Sequence, residues 1–248
     1  MKPLYHLKFP HEPRADFAIL PGDPGRVEAI AKKLDNPRFF SQNREYTAWL
    51  GELRSKNVLV MSTGMGGPST AIAVEELAEA GVKTFIRVGT CGGMNMRVKG
   101  GDIVVANAAI RMEGTSKEYV PVEFPAVSDI DVTNALIAAV SETEHNWHVG
   151  VVHCKDSFYG QHSPQRMPVG HELQSKWEAW IKAGCLASEM ESAALFVVCQ
   201  TLGLRAGCVL SVIWNQERRR AGTSDIDGDA GSVADIAIGA VAKLIEEK

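Results

Sequence analysis

An arginine inside an apolar run is the first residue whose surroundings suggest chemistry. The run is FIRVGTCGG, residues 85–93, and Arg87 interrupts its apolar half. A buried guanidinium is costly unless several acceptors surround it. The glycines that follow would expose backbone donors beside the Thr90 hydroxyl. Guanidinium, hydroxyl and amide donors together predict an oxyanion pocket for phosphate or carboxylate. The alternative is a purely structural ion pair between Arg87 and a carboxylate.

A second anion-binding signal lies in residues 20–26, LPGDPGR. Gly22 would let the backbone approach a ligand closely. Asp23 followed by Pro24 is typical of a helix start, where unpaired N–H groups favour an anion. Arg26 falls in the first turn, where a positive charge opposes the helix dipole. The alternative is a tight turn with an exposed arginine. The sequence contains no Gly-x-x-x-x-Gly-Lys-Ser/Thr motif, so a nucleotide P-loop is not supported.

Two glutamates precede an apolar helical segment in residues 187–192, ASEMES. Seven apolar residues follow at 193–199, which predicts a buried helix. A carboxylate from Glu189 or Glu191 could accept both hydroxyls of a vicinal diol, as on ribose. The alternative is compensation of the helix dipole by glutamates in the first turn.

Aromatic and amide side chains lie together in residues 156–161, DSFYGQ, with Arg166 a few residues later. Such a set could stack on a heterocycle and hydrogen-bond its polar edge. The alternative is a surface loop.

These segments must be positioned by an alternating series of strands and helices. Apolar, β-branched runs predict strands over residues 17–20, 58–63, 84–89, 102–110, 148–154 and 207–214. Capping and periodicity predict helices over 25–34, 69–80, 132–142, 171–183 and 190–202, and a last one from 232 onward. The pattern favours an α/β fold, a single domain with a mixed central β-sheet flanked by helices. Such sheets bind ligands beyond the carboxyl ends of strands, where most of these segments lie.

Composition limits the partners of the chain. The 248 residues carry a net charge of −4, and the densest basic run, residues 218–220, is three long. We therefore expect neither a nucleic-acid nor a membrane surface. The five cysteines have no metal-type spacing, which predicts buried free thiols in a reducing compartment. Without a signal peptide or a sufficiently long apolar run, a cytoplasmic protein is expected.

Three of these patterns, together with residues 62–69, resemble one family. Residues 20–26, 62–69, 87–92 and 189–192 occur in the order of the nucleoside phosphorylases that work as trimers or hexamers, and the similarity extends from His6 to the final helix. The segment 158–166 resembles the pyrimidine-reading insertion that purine-specific members lack. The resemblance implies a phosphorylase/hydrolase-like domain over residues 1–248. The implied activity is that of a pentosyltransferase, the reversible phosphorolysis of uridine to uracil and ribose 1-phosphate. A purine nucleoside phosphorylase, a hydrolytic nucleosidase and a non-catalytic nucleoside-binding protein are the alternatives.

The resemblance also implies roles for individual residues. Phosphate would be bound by Gly22, Arg26, Arg87 and Thr90, with Arg44 from a neighbouring subunit; ribose by Met190, Glu191 and the neighbour's His6; and uracil by Gly92, Phe158, Gln161, Arg166, Ile213 and Trp214. Catalysis would rest on Arg87, Arg26, Glu191 and Arg166.

Assembly and cofactors follow from the same resemblance. It implies self-association as a hexamer built from dimers, with uridine and inorganic phosphate as substrates and no required cofactor. A monovalent cation such as K⁺ would lie between paired subunits at Glu45, Met65 and Ser69, with Met65 contributing a backbone carbonyl.

The chain departs from the family pattern at the base-reading residues. Gln161 and Arg166 are separated by four residues, more than in enterobacterial forms, so Gln165 is a second candidate for Gln161's role. Trp214 stands where a small aliphatic residue is expected near the 5-position of the base, which predicts poorer use of thymidine than uridine. Asn215 matches a position where purine-cleaving members have an acid, which favours pyrimidines because an amide cannot supply a catalytic proton.

Overall fold

The computed structural model of the chain describes residues 4–223, 228 and 231–246, so the outermost residues of the expected domain 1–248 lie outside it. The strands are β1 (Phe17–Pro21), β2 (Asp35–Asn43), β3 (Tyr46–Leu53), β4 (Lys56–Met61), β5 (Thr84–Gly93), β6 (Ile103–Met112), β7 (Ala126–Val127), β8 (Trp147–Lys155), β9 (Ala187–Glu189) and β10 (Arg205–Asn215). The helices are α1 (Val27–Ala31), α2 (Gly67–Glu79), α3 (Thr115–Tyr119), α4 (Ile130–Ser141), α5 (Phe158–His162), α6 (Gly170–Lys182), α7 (Ser192–Thr201), α8 (Gln216–Arg220) and α9 (Ser232–Glu246). Short 3-10 turns cover Pro24–Arg26 and Pro164–Arg166.

The described strands form one mixed sheet, which confirms the predicted fold class. They pair in the order β10-β6-β8-β9-β5-β1-β4-β3-β2, with β7 added to β6. Strand β10 also pairs with β5 in parallel, so β5, β10, β6, β8 and β9 close into a ring. Strands β1 and β5 are parallel neighbours, and their carboxyl ends therefore lie side by side. Strand β10 is parallel to β5 as well, so the segments after β1, β5 and β10 lie at one edge. Strand β9 is antiparallel to β5 but pairs with it at Gly92 and Gly93, which brings β9 and the neighbouring β8 to the same region.

The six strands predicted from apolar runs are confirmed as β1, β4, β5, β6, β8 and β10. The antiparallel hairpin of β2 and β3 was not predicted. Most of β2 is exposed and contains Pro37, so its sequence lacks the apolar pattern of a buried strand. Strand β9 is only three residues long, too short to show a period.

The predicted helices are present, with two changes at their starts. The expected helix 25–34 is a 3-10 turn followed by the five residues of α1. Helix α7 begins at Ser192 instead of residue 190, because the Glu189 carboxylate accepts the backbone N–H groups of Glu191 and Ser192 there. Residues 192–199 of α7 are buried, as its apolar sequence predicts.

Helices cover the two faces of the sheet. On one face α7 and α2 pack together in the larger apolar core, and on the other α4 and α9 pack against each other beside α1. All five cysteines belong to the described part and are buried free thiols, as predicted. None of the described helices combines the length and apolarity needed to cross a bilayer.

Candidate active site

Carboxyl ends of strands surround a cavity of about 760 Å³. Most of the residues predicted to bind ligand line it: Gly22, Arg26, Arg87, Thr90, Gly92, Phe158, Gln161, Met190, Glu191, Ile213 and Trp214. Glu45 and Met65, predicted near a cation, line it too. Segments that are far apart in the sequence, most of them close to the end of a strand, thus share one space.

Arg87 lies in a buried ion-pair network on the cavity wall. Its Nε donates to Glu189 Oε2 at 3.1 Å, and its Nη2 pairs with Glu191 Oε2. Burial alone would lower the pKa of Arg87, but the two carboxylates outweigh it, so the pKa is raised and the guanidinium stays charged. The structural ion pair is thus present, and Arg87 also lines the cavity, so its predicted binding of an anion stays a prediction.

The two glutamates differ in what they bind. Glu189 accepts the N–H of Glu191 at 2.9 Å and that of Ser192 at 3.1 Å, so it caps α7. Burial would raise the pKa of Glu189, but Arg87 and Ser192 together lower it. Glu191 accepts the N–H of Gly66 at 2.6 Å, and burial raises its pKa although Arg87 opposes the shift. Both glutamates line the cavity, but Glu189 is engaged as the helix cap, whereas Glu191 has lone pairs left for hydroxyl groups.

The turn after β1 places a second guanidinium near Arg87. The predicted cap is present, since Asp23 Oδ1 accepts the N–H of Gly25 at 2.8 Å and fixes the 3-10 turn that ends at Arg26. Burial and the positive charge of Arg87 lower the pKa of Arg26, while Asp23 opposes the shift. An anion bound between the two guanidinium groups would relieve their mutual repulsion.

Two glycines leave the space that this arrangement needs. A Cβ at Gly22 would lie 3.2 Å from the Gly64 carbonyl oxygen and 3.9 Å from Arg87 Nη1. A Cβ at Gly89 would lie 2.7 Å from Arg87 Nη2 and 2.9 Å from Leu210 Cδ2. A larger residue at position 89 would therefore push the guanidinium away from its carboxylates.

Aromatic rings and an amide form another part of the wall. The ring centroid of His162 lies 4.3 Å from that of Phe158 and 5.5 Å from that of Trp214. Gln161 Oε1 accepts from the Ser188 hydroxyl at 2.7 Å, and its Nε2 donates to Gln216 Oε1 at 3.1 Å. A planar heterocycle could lie against the rings while the Gln161 amide bonds its edge.

Arg166 does not occupy its predicted place. It is exposed outside the cavity, with its guanidinium carbon 5.9 Å from the Tyr159 ring centroid. The inserted residues account for the difference, because they complete α5 and form a 3-10 turn in which Pro164 is buried, so the chain turns away after Gln161. Gln165 is exposed as well, and of the two candidate glutamines only Gln161 lines the cavity.

Three further predicted residues lie away from this cavity wall within the described chain. His6 Nδ1 bonds Glu76 Oε1 at 2.7 Å, and Arg44 is exposed in the turn between β2 and β3. Their predicted roles concern a neighbouring subunit's cavity and stay predictions. Ser69 Oγ donates to the Met65 carbonyl oxygen at 3.3 Å, which places two of the proposed cation ligands together.

Asn215, which was predicted to favour pyrimidine bases, is not among the residues that line the cavity. Its Nδ2 donates to the carbonyl oxygens of Asn95 and Val98, both at 2.8 Å, and its Oδ1 accepts from the N–H groups of Glu217 and Arg218. Asn215 is completely buried and caps α8. Its amide therefore holds the backbone together and is no indicator of the preferred base.

Lys155, Ser188 and His162 are among the residues that line the cavity without having been predicted to bind ligand. Lys155 is the last residue of β8, and its Nζ donates to Ser188 Oγ at 2.9 Å and to the Glu189 carbonyl oxygen at 3.3 Å. The strand-end rule would have found it, had the segment been taken from residue 155 instead of 156. His162 gave no signal, because it belongs to the insertion and to no metal-type spacing.

Comparison with known proteins identifies the family. The sequence profile of the phosphorylase superfamily matches residues 16–247. A uridine phosphorylase of Treponema pallidum is 52% identical over 244 residues, 98% of this chain and 95% of the relative. A uridine phosphorylase of Escherichia coli is 44% identical over 208 residues, 83% of this chain and 82% of the relative.

A similar protein with a different name is a guanosine phosphorylase of Halorubrum lacusprofundi. It is 42% identical over 200 residues, which cover 81% of this chain and 78% of the relative. The names of the similar proteins thus include a pyrimidine and a purine nucleoside, and the shape and side chains of the cavity bear on which base fits.

Proposed function

The chain belongs to the phosphorylase superfamily, and from this premise we propose that it catalyses the reversible phosphorolysis of uridine to uracil and ribose 1-phosphate. It is then a pentosyltransferase of pyrimidine nucleoside salvage, with residues 1–248 acting as one domain. The observation that carries the proposal is that Arg87 lines the cavity while paired with Glu191. An anion bound by Arg87 would thus adjoin a carboxylate suited to a sugar diol.

Phosphate is the nucleophile of the proposed reaction. Arg26, Arg87 and the Thr90 hydroxyl would hold it beneath the sugar, and it would attack the anomeric carbon from the face opposite the base. The transition state resembles an oxocarbenium ion, so the fixed phosphate charge stabilises it. Attack opposite the base inverts the anomeric centre of a β-nucleoside and gives α-ribose 1-phosphate. Positioning and electrostatics supply the acceleration.

Ribose and uracil occupy the rest of the cavity. Glu191 would accept hydrogen bonds from the 2′ and 3′ hydroxyls, and Met190 would pack against the sugar. Uracil would lie near Gly92, Ile213 and Phe158. Its charge rises as the glycosidic bond breaks, and the Gln161 amide would then donate more strongly to a carbonyl oxygen. Because Arg166 is exposed outside the cavity, this role is proposed for Gln161 alone.

A complete site requires a second subunit in this proposal. Arg44 and His6 of the partner subunit would reach the phosphate and the 5′ hydroxyl, within a hexamer built from dimers. The oxygens of Glu45, Ser69 and the Met65 carbonyl suit a hard monovalent cation such as K⁺ between the paired subunits. Since phosphate itself is the nucleophile, the reaction needs no redox cofactor.

A substrate panel tests the proposal. Uridine, thymidine, 2′-deoxyuridine, inosine and guanosine are each incubated with the enzyme, with and without phosphate, while base release is followed by absorbance. We expect uridine to be cleaved only when phosphate is present. Guanosine or inosine cleavage without uridine cleavage selects a purine phosphorylase. Phosphate-independent release selects a nucleosidase, and binding without turnover selects a storage protein.

A further inference from the structure

The Ser188 hydroxyl has three polar neighbours in the buried wall between β8 and β9. Lys155 Nζ lies 2.9 Å from Ser188 Oγ, His153 Nδ1 also lies 2.9 Å away, and Gln161 Oε1 lies 2.7 Å away. Ser188, His153 and Lys155 are all at most 7% exposed. Bulk water therefore cannot satisfy this hydroxyl in their place.

Hydrogen accounting fixes the direction of each bond. A hydroxyl donates one hydrogen and accepts two. The Lys155 ammonium can only donate. If His153 donates from Nδ1, both lone pairs of Ser188 are used, and its one hydrogen goes to Gln161 Oε1. This tautomer leaves His153 Nε2 as an acceptor, and Nε2 has no partner among the described residues. Burial lowers the pKa of His153 to about 3, and the charge of Lys155 adds to the shift, so the imidazole is neutral.

The orientation of the Gln161 amide follows from this accounting. Its Oε1 faces Ser188, so its NH₂ group points the other way, where one hydrogen is donated to Gln216 Oε1 at 3.1 Å. The described residues supply no acceptor for the second hydrogen, and Gln161 lines the cavity. Without Ser188 the amide could rotate and present its oxygen, which would repel a carbonyl of the base.

We propose that Lys155 is a positioning residue for base departure, acting through Ser188 to hold the Gln161 amide as a hydrogen-bond donor toward the leaving base. This inference rests on the proposed phosphorolysis and adds the residues that orient the Gln161 amide toward the departing base. Lys155 donates to Ser188, Ser188 donates to Gln161, and Gln161 donates to a carbonyl oxygen of the departing base. The positive charge of Lys155, at the start of this series of hydrogen bonds, polarises each bond toward the oxygen where negative charge develops.

The contacts of Lys155 fit this role. Burial lowers its pKa, while the Glu189 carboxylate opposes the shift. Its Nζ also donates to the Glu189 backbone carbonyl, which anchors it against the same strand that carries Ser188. A lysine that served only to neutralise Glu189 would not need to contact Ser188.

The test compares leaving groups. Wild type, Lys155→Met, Ser188→Ala, the double variant and Lys155→Arg are assayed with uridine and 5-fluorouridine. The phosphate concentration is varied up to saturation, so that kcat and the KM for phosphate are both measured. Fluorine withdraws electrons and makes the base a better leaving group that needs less stabilisation. We expect each single variant to lower kcat for uridine about 10- to 100-fold, the range for a bond to a charged group, and to lower it clearly less for 5-fluorouridine. Lys155→Arg should restore part of the loss.

The double variant provides the sharper criterion. If Lys155 acts through Ser188, the kcat of the double variant should be no lower than that of the less active single variant. Both substitutions interrupt the same series of hydrogen bonds. The control is Lys83→Met, which removes a lysine paired with Asp16 before β5 and should leave all rates unchanged.

Several results would overturn the inference: equal losses for both substrates, additive losses in the double variant, or a raised KM for phosphate. Any of these would mean that Lys155 supports the fold or Glu189 only. Failure of the proposed function looks different, since wild type itself would then not cleave uridine with phosphate.

Discussion

Arg87 illustrates how one side chain serves both structure and chemistry. A guanidinium held by two buried carboxylates does not by itself make the fold more stable than an apolar group would, because desolvation of the charges offsets their attraction. In the proposed reaction its role is to hold a fixed position near Arg26, where a bound phosphate would offset the repulsion between the two guanidinium groups. Gly22 and Gly89 leave room for the Arg87 guanidinium, because a Cβ at either residue would lie close to it.

Replacing Arg87 should reduce activity and stability together. We expect Arg87→Ala to lower kcat/KM for uridine by about 100- to 1,000-fold, as for loss of a fixed anion-binding donor. Because Glu189 and Glu191 would remain buried without their partner, the free energy of unfolding should fall by about 3–5 kcal/mol. Steady-state kinetics and urea unfolding measure the two effects.

The variant Arg87→Lys keeps the positive charge beside the two glutamates but lacks the forked donors. It is the control for a loss of activity that is caused by misfolding alone. Its activity should lie between those of Arg87→Ala and wild type. Arg205→Ala removes a guanidinium that bonds Thr84 at the opposite end of β5 and should not change kcat. Near-normal phosphorolysis by Arg87→Ala would disprove the assigned phosphate site.

Trp214 should decide how much space the 5-position of the base has. Its indole lines the cavity and is held by Arg219, whose guanidinium carbon lies 4.7 Å from the ring centroid. We expect poorer turnover of thymidine than of uridine. Trp214→Val should raise kcat/KM for 5-methyluridine relative to uridine, a pair of substrates with the same sugar. An unchanged ratio would show that the indole does not limit this position.

At the scale of elements, the segment between β8 and α6 would decide which side chain reads the base in the proposed reaction. Helix α5 holds Gln161 on the cavity wall, and the buried Pro164 directs Arg166 outward. The insertion therefore exchanges the arginine of the family pattern for a network of Ser188, Gln161 and Gln216.

Paired alanine substitutions in this segment test that exchange. Gln161→Ala should raise KM for uridine and lower kcat, because a bond to the departing base is lost. Arg166→Ala should change either value less than twofold, since exposed side chains away from the site contribute little. The two variants are matched in position and assayed side by side. A larger loss from Arg166→Ala would mean that the loop closes over the substrate with Arg166 inside.

The elements that the sequence predicts well are those whose pattern is strong. In the long apolar strands and in α7, many residues indicate the same burial. The arginine inside β5 and the Gly22 and Arg26 segment after β1 predict the proposed anion site, and both line the cavity. Short β9 and exposed β2 carry no such pattern. The direction of the chain between residues 161 and 166 depends on how Pro164 packs, and the capping role of Asn215 depends on distant carbonyl groups. Neither can be predicted from local sequence.

At the scale of the whole molecule, the cavity of one chain lacks two of its predicted ligands. Arg44 is exposed in a turn at the end of β2, and the His6 segment is fixed to Glu76 of α2, so both lie where a second copy could receive them. In the proposed assembly, a neighbouring subunit would therefore add a third guanidinium to the Arg26, Arg87 and Thr90 of one chain.

Mixing two defective subunits tests whether sites are shared. Arg44→Ala and Glu191→Gln subunits are each expected to be poorly active alone. After unfolding and refolding together, about a quarter of the sites would combine an intact Glu191 with an intact Arg44 of the partner subunit, because random pairing makes half of the dimers hybrid. Activity of the mixture should therefore exceed that of either variant several-fold. Activity equal to the average of the two would show that each chain completes its own site.

The most direct measurement of the central claim is the fate of phosphate during uridine cleavage, followed by ³¹P NMR. The account predicts that inorganic phosphate disappears and α-ribose 1-phosphate appears, one molecule for each uracil released. Release of uracil with free ribose and an unchanged phosphate signal would contradict it, because the arginines around the cavity would then hold no reacting anion.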